Sequence, residues 1–348
     1  MITRRNVVGT IAAGLTTPWA TRARSQDSKE LKLYNWFDYI PQALLDKFAA
    51  ETGIVVTVDT YDSNENLLAR LKSGVTGYDL AVPSDYMVEI LVAENLLEQV
   101  DAASLPNFSN VIDDMKSVPW DPARAYSVPY QIGITSFMVD GNVFSGDIDT
   151  LDILFNPPPE LKGRINMLRD MNDVINMALR YLGYPRCNNN PDQMREVSEL
   201  LEASKANWLS FNSDGAKEAL VSGDAAAGMI WNGFGLRARE ERPSLRYAFP
   251  KQGYSGFADN IVVLKGAPNL DNARAFMDFM MSPENAAMLT NYARYISGIK
   301  DVEPFLDEVQ KTSPEVNIPE GAPRPEFVPS CSADVVSLYD RVWTKVLG

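Results

Sequence analysis

The residues with the most chemical potential in this chain are aromatic side chains interleaved with carboxylates. Trp36-Phe37-Asp38-Tyr39, Ser84-Asp85-Tyr86, Trp231 and Phe257-Ala258-Asp259 stand out in this way. A ring face attracts an ammonium group by roughly 0.5–2 kcal/mol, and a carboxylate adds a charge-assisted hydrogen bond. Rings and acids together therefore suit organic cations, and a ligand with several amines needs several such stations in line. Taken singly, each residue also has an ordinary structural use. A Trp or Tyr at a strand end packs a core, and Asp38 or Asp85 before a helix can cap it. Only convergence of several on one crevice favours a ligand site.

What the chain lacks narrows the chemistry further. Its 348 residues include no histidine. No Ser-His-Asp or Cys-His nucleophile can be built, and zinc sites lose their main ligand. There is no G-x-S-x-G, Walker-type loop, G-x-G-x-x-G or C-x-x-C. Paired carboxylates would still permit an exported glycosidase or lyase, but 46 acidic residues make chance pairs unavoidable. The net charge of −14 argues against nucleic acid and anionic membranes as partners. No cofactor or metal is expected.

The elements that must position these residues alternate strand and helix. Leu31–Tyr34 reads as a strand, Pro41 opens a helix carrying Leu44, Leu45 and Phe48, and Gly53 stops it. Ile54–Val58 and Tyr78–Val82 read as further strands, with helices over Asn64–Lys72 and Tyr86–Leu97 between and after them. Such alternation implies a parallel sheet with helices on both faces, whose ligands bind beyond the carboxyl ends of the strands. Ser127–Val139 reads as a long extended segment crossing between lobes. Helices are expected over Val174–Leu182, Ala216–Leu220 and Asn272–Met281. Strands are expected over Ala225–Trp231 and Ile261–Leu264, the latter preceded by a loop over Gly253–Asn260.

The first residues read as an export signal, with basic Met1–Asn6, apolar Val7–Ala20 and small residues at Ala20, Ala23 and Ser25. The apolar run is too short to span a hydrocarbon core of about 30 Å. Arg4-Arg5 resembles a twin-arginine signal, an ordinary secretory signal being the alternative. Removal of residues 1–26 gives a soluble periplasmic protein with no lipid anchor, since no cysteine lies near the cleavage region. The two cysteines, Cys187 and Cys331, either pair in that oxidising compartment or remain as buried thiols.

Longer motifs then carry a resemblance. Tyr34-Asn35-Trp36-Phe37-Asp38-Tyr39-Ile40-Pro41, Tyr78-Asp79-Leu80-Ala81-Val82-Pro83-Ser84, Met177-Ala178-Leu179-Arg180, Phe211-Asn212-Ser213 and Gly228-Met229-Ile230-Trp231-Asn232-Gly233 resemble the periplasmic spermidine/putrescine-binding proteins of bacterial ABC transporters. The match runs in order through essentially the whole chain after the signal and is weakest beyond Ile296. It implies a type II periplasmic-binding-protein fold of class α/β, with two lobes, each a sheet flanked by helices, and the ligand cleft between them. Residues 27–134 with 259–304 would form one lobe, and 135–258 with 305–348 the other. The protein would be a monomeric, non-catalytic receptor that closes over a polyamine and delivers it to an inner-membrane ABC permease.

By the same resemblance, Trp36 and Tyr39 line the cleft, and Ser84 and Tyr86 add a hydroxyl and a second wall. Asp170 and Asp173 bind one amine, Trp231 packs along the methylene chain, and Asp259 anchors another amine with Phe257 and Tyr295 nearby. Asp38 and Asp85 complete the candidate set. Asp173 stands where the family commonly has Glu, Phe257 where spermidine binders have Trp, and Phe234 replaces an acid of putrescine-preferring members. Near Phe327–Pro329 no equivalent of an amine-binding glutamine can be placed. Tyr86 and Asp170 favour spermidine, with another amine as a same-fold alternative.

Overall fold

The computed structural model describes residues 29–74, 77–327 and 330–348, so the export signal expected over residues 1–26 lies outside the described residues. Its strands in chain order are β1 (Glu30–Trp36), β2 (Val55–Tyr61), β3 (Leu80–Ala81), β4 (Ser127–Asp140), β5 (Ile165–Met167), β6 (Trp208–Phe211), β7 (Ala227–Trp231), β8 (Leu245–Tyr247), β9 (Ser255–Val263) and β10 (Glu326–Phe327). β1 alternates burial so that Leu31 and Leu33 face one core while Tyr34 faces another. The helix Gln42–Thr52 then buries Leu44, Leu45 and Phe48, one stripe at helical spacing. Gly53 ends it at φ 74°, in the left-handed region where a side chain is strained, and its N–H closes on the Ala49 carbonyl.

The strands form one hydrogen-bonded sheet in the order β2-β1-β3-β9-β4-β7-β5-β6, with β8 on β4 and β10 on β9. β1 is parallel to β2 and β3, and β5 is parallel to β6 and β7. β4 and β9 run antiparallel to each other and join these two parallel groups. Every residue of β4 is buried. Where separate sheets are expected, the long crossing strands thus make the ladder continuous.

Two bodies of core lie along this ladder. Leu33, Phe48, Ile132, Ile261 and Phe276 belong to one, with a satellite around Leu67, Met87 and Leu91 on the opposite face of β1 and β3. Phe137, Ile165, Leu179, Leu201, Ile230 and Tyr339 belong to the other. Half-buried Trp231 packs against both main cores.

The expected loop over Gly253–Asn260 is instead most of β9. Gly, Ser, Asp and Asn read as turn formers, but here β4 supplies their backbone partners from Ile132 to Thr135, and the cleft takes the polar side chains. Helices Pro191–Ser204, Pro283–Ala293 and Ala333–Leu347 add further cover.

Cys187 and Cys331 are disulfide-bonded, with Cα atoms 5.1 Å apart across a sequence separation of 144 residues. The bond ties the chain that follows the helix Met171–Tyr181 to the chain that precedes the C-terminal helix. Closing so long a loop restricts the unfolded chain most, so Cys187→Ser should lower the unfolding free energy by about 2–5 kcal/mol. Denaturant titration of the variant, and of the parent with and without a thiol reductant, measures this. Equal midpoints in all samples would show that the bond adds no stability.

Candidate ligand-binding cleft

The carboxyl end of β1, the turn after β3, the N-terminal end of helix Met171–Tyr181, the end of β7 and the middle of β9 converge on one cleft. It holds about 710 Å³, part of it open to solvent. Eleven of the twelve candidate residues line it: Trp36, Tyr39, Ser84, Asp85, Tyr86, Asp170, Asp173, Trp231, Phe257, Asp259 and Tyr295.

Asp259 is built in by two hydroxyls. Tyr39 Oη donates to its Oδ2 at 2.8 Å and Ser84 Oγ to its Oδ1 at 2.7 Å. Asn64 in turn donates to Ser84 Oγ at 3.1 Å and accepts from the Ser84 N–H at 3.2 Å. Burial pushes the Asp259 carboxyl up to about 7 against the pull of these two hydrogen bonds. Tyr39, edge-on to both Tyr130 and Tyr295, is locked in place by ring contacts with centroids 5.2 Å apart.

The acids on the other wall sit at a helix start. Asp170 caps the helix Met171–Tyr181 by accepting from the Asp173 N–H at 2.9 Å. Asp173 accepts from Trp231 Nε1 at 2.9 Å, which fixes the indole across the cleft floor. Burial pushes Asp170 up to about 7, with the neighbouring Asp173 charge adding to it, and raises Asp173 as well. Asp85 is 1% exposed and accepts from the Tyr86 N–H at 2.8 Å and the Ala258 N–H at 3.3 Å. Burial holds it at about 7 too.

The two walls touch. Trp36 meets Trp231 edge-on with centroids 6.2 Å apart. Asn172 reaches across to donate to Glu65 Oε1 at 3.1 Å and to Tyr86 Oη at 3.2 Å. Glu65, behind that contact, is raised to about 7 by burial.

Asp38 is the exception among the candidates. It is neither a helix cap nor a lining residue. Its carboxylate pairs with Arg237 at 2.6 Å and accepts from Tyr292 Oη. The cause is local: Asp38 has φ 51°, a left-handed turn that aims it away from the neighbouring Trp36 and Tyr39.

Sequence reasoning missed Asn64, Thr135, Asn172, Asn176 and Arg186 as lining residues. The signal for part of this set was available. Asn172, Asp173 and Asn176 form a polar face at helical spacing on an otherwise apolar helix, and buried polar groups need partners. Nothing in spacing marks Arg186, which enters from the loop beside Cys187. Among the described residues no group of three or more His, Cys, Asp or Glu could hold a metal ion, and no helix is long and apolar enough to cross a membrane.

The mixed sheet joined by two long crossing strands, with a cleft beyond its strand ends, is the architecture of two-lobed binding proteins. Residues 43–316 match the family described as bacterial extracellular solute-binding protein, and the chain belongs to that family. It is 34% identical over 308 residues to the spermidine/putrescine-binding periplasmic protein of Escherichia coli K12, covering 88% of this chain and 86% of that one. It is 29% identical to the putrescine-binding periplasmic protein SpuD of Pseudomonas aeruginosa, over 97% and 96% of the two chains. The solved spermidine/putrescine ABC transporter substrate-binding protein PotD of Streptococcus pneumoniae superposes with a TM-score of 0.76 at 28% identity, over 92% and 99%. All three are named as binding or transporter proteins, none as an enzyme.

Proposed function

We propose that this chain is the periplasmic receptor of a polyamine importer, capturing spermidine in preference to putrescine and presenting it to an inner-membrane ABC permease. The observation that carries this reading is the cleft's charge: Asp85, Asp170, Asp173 and Asp259 line it, and Arg186 is its one cation among the described residues. Carboxylates buried without an ion-pair contact await cations, and the indole and phenol faces between them suit methylenes and ammoniums. The names of the relatives agree with it. On β4, the partner of Asp259 is Gln131 and that of Trp231 is Thr135, four residues or about 13 Å apart at the usual strand rise. An extended triamine bridges more of that distance than a butane diamine.

In this reading residues 1–26 direct export and the mature chain works as a monomer. Residues 27–134 with 259–304 and residues 135–258 with 305–348 act as lobes whose closure is a population shift toward the ligand-bound arrangement. The test is calorimetric titration of refolded, ligand-stripped protein with putrescine, cadaverine, spermidine and spermine. One-to-one binding at micromolar or tighter, strongest for spermidine, is expected. Folded protein silent to all four would overturn the reading.

Arg237 then matters to release. Its pair with Asp38 is flanked by the rings of Phe234 and Tyr292, 5.6 and 5.3 Å from the guanidinium carbon. Arg237 lies on the helix Asn232–Glu241, and Asp38 follows β1, so the pair joins the two lobes. A half-exposed pair contributes about 0.5–1 kcal/mol, so Arg237→Gln should speed ligand dissociation roughly two- to fivefold in stopped flow. An unchanged rate would remove the pair from the closing contacts.

A further inference from the structure

Arg186 is the cation that the polyamine reading leaves unused. It lines the cleft, yet it has no carboxylate within ion-pair distance among the described residues. Its Nε donates to Asn176 Oδ1 at 3.2 Å, and Nη1 is buried with no acceptor. A guanidinium carries five N–H donors in a planar fork, and the two on Nη1 are unmet here. An unsatisfied buried donor is costly, and a charged one more so. Arg186 also cannot move away freely, because the next residue is bonded to Cys331.

An ammonium gains nothing from this group, whereas an oxygen acceptor gains a charge-assisted hydrogen bond. Asp85 and Asp173 are close enough to feel the arginine's charge without contacting it. They favour a neutral acceptor over a ligand carboxylate, which they would repel. The opposite anchor, Asp259 with Tyr39 and Ser84, remains a station for a free ammonium.

We propose that Arg186 makes the cleft a receptor for mono-acylated polyamines, with the free amine at Asp259 and the acyl oxygen on the Arg186 guanidinium. This rests on the amine-receptor reading and narrows its ligand class. A site that binds a carbonyl through an otherwise unmet donor discriminates through that group, because removing the carbonyl leaves the donor unpaired.

The experiment compares spermidine with its two terminal mono-acetyl derivatives by calorimetry, on the full mature chain and on Arg186→Leu. For at least one derivative, the ratio of acetylated to unacetylated Kd should rise tenfold or more in the variant. Cooperative thermal unfolding of the variant, followed separately, shows that it is folded, and the ratio of the two Kd values cancels any effect common to both ligands. Arg186→Lys, which keeps the charge but not the fork, should recover part of the lost discrimination. Ratios unchanged by Arg186→Leu, or acetylated forms that fail to bind the parent while spermidine binds, overturn this proposal and leave the polyamine reading intact. No binding of any of the three to the parent overturns both.

Discussion

Asp259→Asn should weaken spermidine binding by more than tenfold while leaving the empty protein at least as stable. Asp259 lies in the cleft at 4% exposure, and both its oxygens are already held by neutral hydroxyls, Tyr39 and Ser84. Without a ligand this is a buried charge with no counter-ion, which is why its carboxyl titrates near 7. An amide of the same shape removes the charge and keeps one acceptor, and each hydroxyl can rotate to donate or accept. With ligand bound, the ammonium loses its counter-charge in a desolvated place. Truncating one member of such a pair costs about 2–5 kcal/mol, or thirtyfold and more in affinity. Calorimetry on the variant, with thermal unfolding of the empty protein beside it, separates the two effects. Unchanged affinity would remove Asp259 from the anchor role, and a large fall in stability would show that the carboxylate holds the fold rather than the ligand.

Binding should also strengthen as pH rises from 6 to 8, with protons released to the solvent. Asp85, Asp170, Asp259 and Glu65 each titrate near 7 in the empty protein, mainly through burial. The amines of a polyamine remain charged over this range, so the acids must lose their protons to receive them. Four acids about half protonated at pH 7 give a release of up to about two protons per ligand. Titrations at one pH in buffers of different ionisation enthalpy measure it directly.

Stability has the opposite sign. These folded-state values lie above the ordinary unfolded values near 4, so between about pH 4 and 7 the folded chain binds more protons than the unfolded one. The four acids therefore make the empty protein less stable as pH rises through that window, and level off above it. The melting-temperature gain from saturating ligand should be larger at pH 8 than at pH 6. A gain independent of pH, with no proton release, would mean that the acids are already ionised in the empty cleft.

Much of this arrangement was legible from residues alone, and the reasons differ by element. The helix Gln42–Thr52 announced itself through an apolar stripe and a glycine stop, both local signals. β4 was legible because its β-branched and aromatic residues, Val128, Tyr130, Ile132, Ile134, Thr135, Phe137 and Val139, outweigh Pro129 and Gly133. β9 was hidden, since its polar and glycine residues are there for the cleft and override the appearance of a strand. Along the cleft, the rings and acids at strand ends could be found because the sheet's polarity dictates where side chains converge. Asp38 failed for a conformational reason: one left-handed residue turned the carboxylate toward Arg237. Arg186 was missed because the Cys187–Cys331 bond that fixes it is a long-range fact, which no window of sequence contains.

The unbroken ladder between β4 and β9 bears on how such a molecule moves. From Gln131–Asp259 to Thr135–Ser255 the two strands stay in register, and the only irregularity falls between Pro129 and Gln131. Under the proposed two-lobe function, opening would be a flexure of two paired ribbons, comparable to bending a leaf spring, with no inter-strand bond surrendered. The amides of Ile132–Thr135 should exchange with deuterium as slowly without ligand as with it, while those around Asn172 and Tyr86, where the walls meet, should quicken when the cleft is empty. For the proposed receptor, a hinge made of paired strands would let the cleft load and unload many times without unfolding at that hinge.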